Sequence, residues 1–152
     1  MKTCVYLSYK GLGANLLHLV YCHEIAKKYG PVTIITLCNN LEAVLKDDPL
    51  IKKVVFINEY HKRFIDVLKL KKLLNTFNFD RIFIYYPSLR IYLASILSNI
   101  KEVYSYPVFK KKNLHLIEAA KKFTERCLGI NNCPTETNFF IKKDKIEAIN
   151  KN

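Results

Sequence analysis

The stretch 3–30, TCVYLSYKGLGANLLHLVYCHEIAKKYG, decides the fold of this chain. Residues 3–8 are mostly apolar, β-branched or aromatic, and they predict a buried parallel strand. Gly11 and Gly13 form a glycine-rich turn, after which apolar residues recur at helical spacing from Asn15, the predicted N-cap, to the stop at Gly30. A strand, a glycine-rich turn and an amphipathic helix predict a Rossmann-like unit in which a ligand approaches exposed backbone.

The rest of the chain alternates strands with helices. Further strands are predicted at 32–37, 53–57, 81–86 and 102–106. A short helix is predicted from a cap at Asn39 or Asn40 through Lys46, with longer helices at 64–77, 89–97 and 113–128. This order predicts an α/β fold with a parallel sheet, right-handed crossovers and helices on both faces. Because ligands bind such sheets at the carboxyl ends of the strands, the expected site loops are 8–15, 38–40, 58–63, 86–90 and 106–113.

The composition of the sequence becomes more polar after Gly129. Residues 1–130 predict one Rossmann-like domain, whereas a polar loop follows and then a strand-like run at 139–142 and a polar helix at 145–152. We interpret 131–152 as a linker and the start of a further domain.

Composition limits the classes of partner. The net charge is +12, with 25 Lys and Arg against 13 Asp and Glu, and it suggests either nucleic acid or an anionic membrane surface. No aromatic-interleaved RNA motif occurs, so we expect no nucleic-acid partner. No apolar run reaches the ~18 residues of a membrane span, and the first residues are too short for a signal peptide. We expect a cytoplasmic protein, in peripheral contact with the inner membrane.

Neither a metal nor a bound cofactor is predicted in this domain. The five cysteines are widely spaced and form no CxxC motif. His18 and Cys22 lie four residues apart without a second ligand pair, so we interpret both as packing residues. The turn lacks the third glycine of a dinucleotide fingerprint, and the stretch after the second strand, Leu37 to Asn40, lacks the acidic residue that binds a ribose.

Four motifs, taken in order, resemble the N-terminal half of the family-nine glycosyltransferases, which are the ADP-heptose:lipopolysaccharide heptosyltransferases and their relatives. The segment 11–17 (GLGANLL) is similar to the family opening G-x-G-D-x-L-L, and 48–55 (DPLIKKVV) to the step into its third strand. A serine-arginine segment is matched at 87–94 (PSLRIYLA), and the H-x-x-E helix leading to L-G at 115–118 and 128–129. The resemblance covers residues 1 to about 140.

The resemblance implies two Rossmann-like domains with a cleft between them. The N-terminal domain would bind the acceptor, a lipopolysaccharide core or a related glycan or glycolipid, and the missing domain an ADP-heptose-like nucleotide-sugar donor. Transfer would invert the anomeric centre without an obligatory metal, with a carboxylate as general base. The family aspartate is Ala14 here, so we assign no catalytic residue. Asn15 can orient a hydroxyl but is no base, and Glu42, Asp47 and Glu59 are the nearby carboxylates in sequence.

We therefore expect the intact two-domain chain to be an inverting glycosyltransferase and these 152 residues alone to be inactive. The alternative is a non-catalytic α/β binding module for an anionic ligand. Arginine suits bidentate contacts with carboxylate or phosphate, and paired glycines permit close backbone approach. The predicted acceptor-binding residues are Lys10, Gly11, Gly13, Asn15, Arg63, Ser88, Arg90 and Lys110.

Other polar and aromatic residues are interpreted as structural. His18 is expected to be a partly buried, hydrogen-bonded histidine, and His115 and Glu118 to stabilise a helix start. The tyrosines around the fourth and fifth strands are expected to lie mostly in the core, with hydroxyls at the rim. They are Tyr85, Tyr86, Tyr92, Tyr104 and Tyr106.

Overall fold

The computed structural model describes residues 1–57, 63–106, 115–136 and 139. Within these residues, five parallel strands form one sheet in the order β3-β2-β1-β4-β5. The strands are β1 Thr3–Leu7, β2 Val32–Thr36, β3 Ile51–Phe56, β4 Arg81–Ile84 and β5 Glu102–Ser105. The central strands β1, β2 and β4 are buried along their whole length, as their continuous apolar sequences predict. The predicted parallel α/β sheet is confirmed.

Helices cover both faces of the sheet. They are α1 Leu12–Leu17, α2 Leu19–Tyr29, α3 Leu41–Leu45, α4 Asp66–Phe77, α5 Leu89–Ile96 and α6 Leu116–Leu128. One apolar core packs α2, α3 and α6 against the sheet, and a second core packs α4 and α5 against the opposite face. This three-layer arrangement places the loops after β1, β2, β3 and β4 at a single edge, the carboxyl edge of the sheet.

The predicted start of the first helix was wrong. Asn15 is not the N-cap, because the helix begins one turn earlier with Gly11 as the N-cap in an extended conformation. The predicted single helix is also divided at His18, which is the C-cap of α1 and the N-cap of α2. The physical reason is that Asn15 lies inside the helix. From there its side-chain amide donates back to the carbonyl oxygens of Tyr9 and Gly11, whereas an N-cap side chain accepts from N–H groups further along the helix.

The amino-terminal edge of the sheet is fastened by charged groups. Arg81 in β4 donates from Nε and Nη2 to the two carboxylate oxygens of Glu102 in β5, both at 3.1 Å, and its guanidinium lies 3.9 Å from the centroid of the Tyr29 ring. A buried pair joins α2 to the loop before β3, with His23 Nε2 and Asp48 Oδ2 2.7 Å apart. These contacts lie away from the carboxyl edge and stabilise the scaffold beneath it.

The structure adds little about the segment beyond α6. Residues 131–136 form neither helix nor strand, while most of the predicted strand at 139–142 and all of the helix at 145–152 lie outside the described residues. Across the described ranges, no helix combines the length and apolar character that crossing a membrane requires.

Candidate functional site

The glycine-rich turn lies at the carboxyl end of β1, between Leu7 and α1. Neither Gly11 nor Gly13 has a positive φ, so the backbone conformation does not itself require glycine. A Cβ atom built on either residue would meet nothing within 4 Å. The space in front of both glycines is therefore open, and the backbone of the turn is accessible to a ligand.

A buried amide holds this turn in place. Asn15 Nδ2 donates to the carbonyl oxygens of Tyr9 (3.0 Å) and Gly11 (2.7 Å), and Asn15 Oδ1 accepts a hydrogen bond from Thr36 Oγ1 at 2.7 Å. Thr36 Oγ1 in turn accepts from the backbone N–H of Cys38 at 3.1 Å. Through these bonds the loop after β1 is tied to the loop after β2.

Asn15 was predicted to contact the acceptor, and in the structure its side chain is buried beneath the turn. The residue is only 1% exposed, and its amide bonds to the carbonyl oxygens of Tyr9 and Gly11 and to Thr36 Oγ1. Asn15 is therefore a residue that positions the turn from beneath. The sequence analysis did not single out Thr36, although a threonine at the carboxyl end of a buried strand was a usable signal.

His18 supports the same turn from the other side. Its Nδ1 lies 2.7 Å from the carbonyl oxygen of Ala14, so this nitrogen carries the proton and donates. Its ring stacks on Tyr9 with centroids 4.9 Å apart. Burial lowers the pKa of His18, against a smaller opposing effect of the bond to Ala14. His18 is more buried than predicted, and its Nε2 has no hydrogen-bond partner within the described residues.

Tyrosines line the inner wall behind the turn. Tyr9 donates its hydroxyl to the carbonyl oxygen of Tyr85 at 2.9 Å, and burial raises the pKa of Tyr9 to about 12. Tyr85 is fully buried and its hydroxyl lies 2.6 Å from Thr124 Oγ1 of α6. Tyr106 is also buried, and its hydroxyl lacks a hydrogen-bond partner in the part of the chain that is described. The predicted core position is confirmed for Tyr85 and Tyr106, whereas Tyr86, Tyr92 and Tyr104 are only partly buried. The predicted rim position of the hydroxyls was wrong for the two buried tyrosines, because both hydroxyls lie inside the protein.

The remaining predicted site residues share the carboxyl edge without forming one cluster. Lys10 is exposed beside the turn, Ser88 is the N-cap of α5, and Arg90 lies in the first turn of that helix. Arg63 is exposed before α4, where its backbone N–H donates to Asp66 Oδ2 at 2.9 Å. Lys110 lies outside the described residues.

The predicted structural role of His115 and Glu118 at a helix start is supported for Glu118 only. His115 is the N-cap of α6, although its side chain makes no capping bond. Glu118 accepts from Lys122 Nζ at 2.7 Å on the exposed surface, and this ion pair lowers the pKa of Glu118. The Glu118 side chain therefore stabilises the first turns of α6 through its ion pair with Lys122.

Among the residues that the structure describes, the carboxylates show no arrangement typical of a catalytic pair. Asp48 is paired with His23, and Asp66 accepts the Arg63 N–H. Glu42 lies on α3, in a groove of about 540 Å³ between α3 and β3 that Lys46 and Lys53 also line. Glu59 lies outside the described residues, and among those described no group of three or more His, Cys, Asp and Glu could hold a metal ion.

Comparisons with known proteins give similarity in structure rather than in sequence. No protein-family model matches the chain, and no curated protein matches its sequence. A glycosyl transferase family 9 structure from Veillonella parvula is 17% identical, with a TM-score of 0.66 over 98% of this chain and 48% of that one.

Two further structures agree. Escherichia coli heptosyltransferase WaaC, solved with ADP-2-deoxy-2-fluoro heptose, is 12% identical, with a TM-score of 0.53 over 90% of this chain and 51% of that one. A glycosyltransferase from Rickettsia africae is 16% identical, with a TM-score of 0.53 over 74% of this chain and 31% of that one. The chain thus spans about half the length of the first structures it resembles. It has the α/β fold found in part of the family 9 glycosyltransferases, and the predicted resemblance is confirmed at the level of the fold.

Proposed function

We propose that this chain is the N-terminal, acceptor-side domain of a heptosyltransferase-like glycosyltransferase that acts on lipopolysaccharide or a related surface glycan. Residues 1–130 form the acceptor domain, and 131–152 lead into a second domain that binds an ADP-heptose-like nucleotide-sugar. The enzyme works in the cytoplasm at the inner membrane, where its glycolipid acceptor is held.

One observation carries the proposal: the glycine-rich turn faces open space on its outer side and is hydrogen-bonded to buried side chains on its inner side. A Cβ atom would fit at Gly11 and at Gly13. The buried side chains of Asn15 and His18 nevertheless bond to carbonyl oxygens of the turn and hold its backbone in place. Buried polar bonds of this kind maintain a particular geometry, since their net contribution to stability is modest. The half-length match to glycosyltransferase structures supports the same interpretation.

The residues at this edge suit recognition of a sugar that carries acidic groups. The turn offers backbone groups to hydroxyls, and Lys10, Arg63 and Arg90 supply positive charge along the same edge. Ala14 cannot act as a general base, so a two-domain enzyme with alanine at this position lacks that contribution to its rate. The alternative, a non-catalytic module for an anionic ligand, rests on the same basic residues.

A transfer assay tests the proposal. The product of the gene, including any sequence after Asn152, is supplied with ADP-heptose and a lipopolysaccharide inner-core acceptor, and product is followed by mass spectrometry. We expect transfer by a two-domain product and none by the 152-residue chain. Ala14→Asp should raise the rate by up to about 10²-fold, the low end of the effect of a general base. A second domain without a nucleotide-sugar site would contradict the proposal.

A further inference from the structure

Three large apolar side chains lie exposed together at the start of α4. Phe64 and Ile65 are each 68% exposed and Leu68 is 62% exposed. The segment is held in helical turns, because Val67 N–H donates to Phe64 O and Leu68 N–H donates to Ile65 O. Residues three and four apart on a helix share a face, so these side chains form one surface, which we call the α4 apolar tip.

The α4 apolar tip is not a loose part of the core. The core-facing residues of the same helix, Val67 and Leu70, are 5% and 2% exposed, so the helix is docked with its apolar side already packed. Single exposed apolar residues are common on protein surfaces and need no explanation. A group of three at one helix end indicates a surface that binds a membrane or another molecule.

The tip lies on the edge that carries the candidate site. Helix α4 follows β3, and α5 follows β4, so both helices begin at the carboxyl edge of the sheet. The two helices share one apolar core, and Leu89 at the start of α5 is 39% exposed beside Arg90. A surface that received the α4 apolar tip would therefore face the edge that holds the glycine-rich turn.

Positive charge surrounds the tip. Arg63 precedes it, and Lys69 and Lys72 follow it on the exposed side of α4. The acidic residue of this turn, Asp66, is buried, accepts the Arg63 N–H and lies 3.7 Å from Lys69 Nζ. Asp66 therefore offsets part of the charge of Lys69, and with Arg63, Lys69 and Lys72 against this one carboxylate the surroundings of the tip keep a net positive charge.

We propose that the α4 apolar tip inserts into the headgroup region of an anionic lipid bilayer, with Arg63, Lys69 and Lys72 at the lipid phosphates. A large apolar residue cluster bordered by lysine and arginine is the composition of interfacial helices. The choice of lipid over a protein partner follows from the charge, since an anionic leaflet attracts basic residues and the whole chain carries +12. This inference deepens the proposed function and rests on it only for the identity of the glycolipid acceptor.

Vesicle flotation tests the inference. The chain is mixed with vesicles of phosphatidylcholine alone or of phosphatidylcholine with phosphatidylglycerol. We expect binding to the anionic vesicles, weakened at least about tenfold in the variant Phe64→Ser, Ile65→Ser, Leu68→Ser, since one large apolar side chain removed from water is worth roughly that factor. A matched variant, Ile96→Ser with Leu97→Ser, removes side chains that are 47% and 52% exposed at the other end of α5, and should leave binding unchanged.

Each other result overturns the inference. Equal binding of the triple variant and the unaltered chain would show attraction by charge alone, and equal loss in the matched variant would show a non-specific effect. If the unaltered chain ignores anionic vesicles and the triple variant instead changes its mass in sedimentation, the tip is covered by protein. Binding of a lipid-free core oligosaccharide separates the two proposals, because loss of vesicle binding should leave it intact.

Discussion

The substitution Gly13→Ala tests whether the fold or a bound ligand requires glycine at this position. Gly13 lies in the first turn of α1 without a positive φ, and a Cβ atom there meets nothing within 4 Å. Alanine is favoured over glycine within a helix by about 0.5–1 kcal/mol. We therefore expect the free energy of unfolding to rise by about 0.5 kcal/mol, or Tm by roughly 1–2 °C, because the position is near the helix end.

The same methyl group should weaken acceptor binding. It would stand in the open space in front of the turn, where the proposal places the sugar, and we expect a loss of affinity of about tenfold, or 1.4 kcal/mol. Urea unfolding measures the first effect, and titration calorimetry with a lipopolysaccharide core oligosaccharide measures the second.

Gly129→Ala is the matched control with the opposite sign. Gly129 caps α6 at φ 66°, where alanine is strained, so stability should fall by about 1 kcal/mol while acceptor affinity is unchanged. A loss of stability in Gly13→Ala would show that the fold requires the glycine. A gain of stability with unchanged affinity would show that the ligand does not contact the turn.

Three further substitutions test the scaffold of the site. Asn15→Ala leaves buried partners unsatisfied and should cost about 2 kcal/mol in urea unfolding, whereas Asn39→Ala, at an exposed asparagine, should stay within about 0.5 kcal/mol. Burial lowers the pKa of His18, so the unfolded chain binds its proton more readily, and stability should fall as the pH drops below about 6.5. His18→Gln should remove that part of the pH dependence and His115→Gln, at an exposed residue, should not; equal slopes would contradict the assignment. Arg81→Lys removes the two-point contact with the Glu102 carboxylate and should lower the free energy of unfolding by about 1–2 kcal/mol in the same assay. An unchanged free energy of unfolding would show that the contact does not stabilise the fold.

The sequence predicted the sheet because buried parallel strands have continuous apolar runs and helices have periodic ones. These are local signals, and they placed every strand of the described sheet within two residues at each end. Helix starts were less accurate. Helix α4 begins at Asp66 rather than residue 64, because the Asp66 carboxylate accepts the N–H of Arg63 and the preceding residues form tighter turns.

The geometry of the turn could not be predicted from local sequence. An asparagine after a glycine-rich loop is typical of an N-cap. Asn15 is instead buried and hydrogen-bonded to Thr36, which lies 21 residues along the chain, and local sequence does not indicate such a partner. The burial of His18 Nε2, which has no hydrogen-bond partner among the described residues, likewise results from packing between α1, α2 and Tyr9. Periodicity carries no information about such contacts.

Amide mapping by NMR tests the central claim most directly. A lipid-free lipopolysaccharide inner-core oligosaccharide is titrated into the labelled chain, and chemical shifts are followed residue by residue. We expect saturable shifts at Gly11, Gly13, Ser88 and Arg90, at the carboxyl edge of the sheet, and a weaker response in Gly13→Ala. Shifts confined to the groove between α3 and β3, or no saturable shifts at all, would contradict the account.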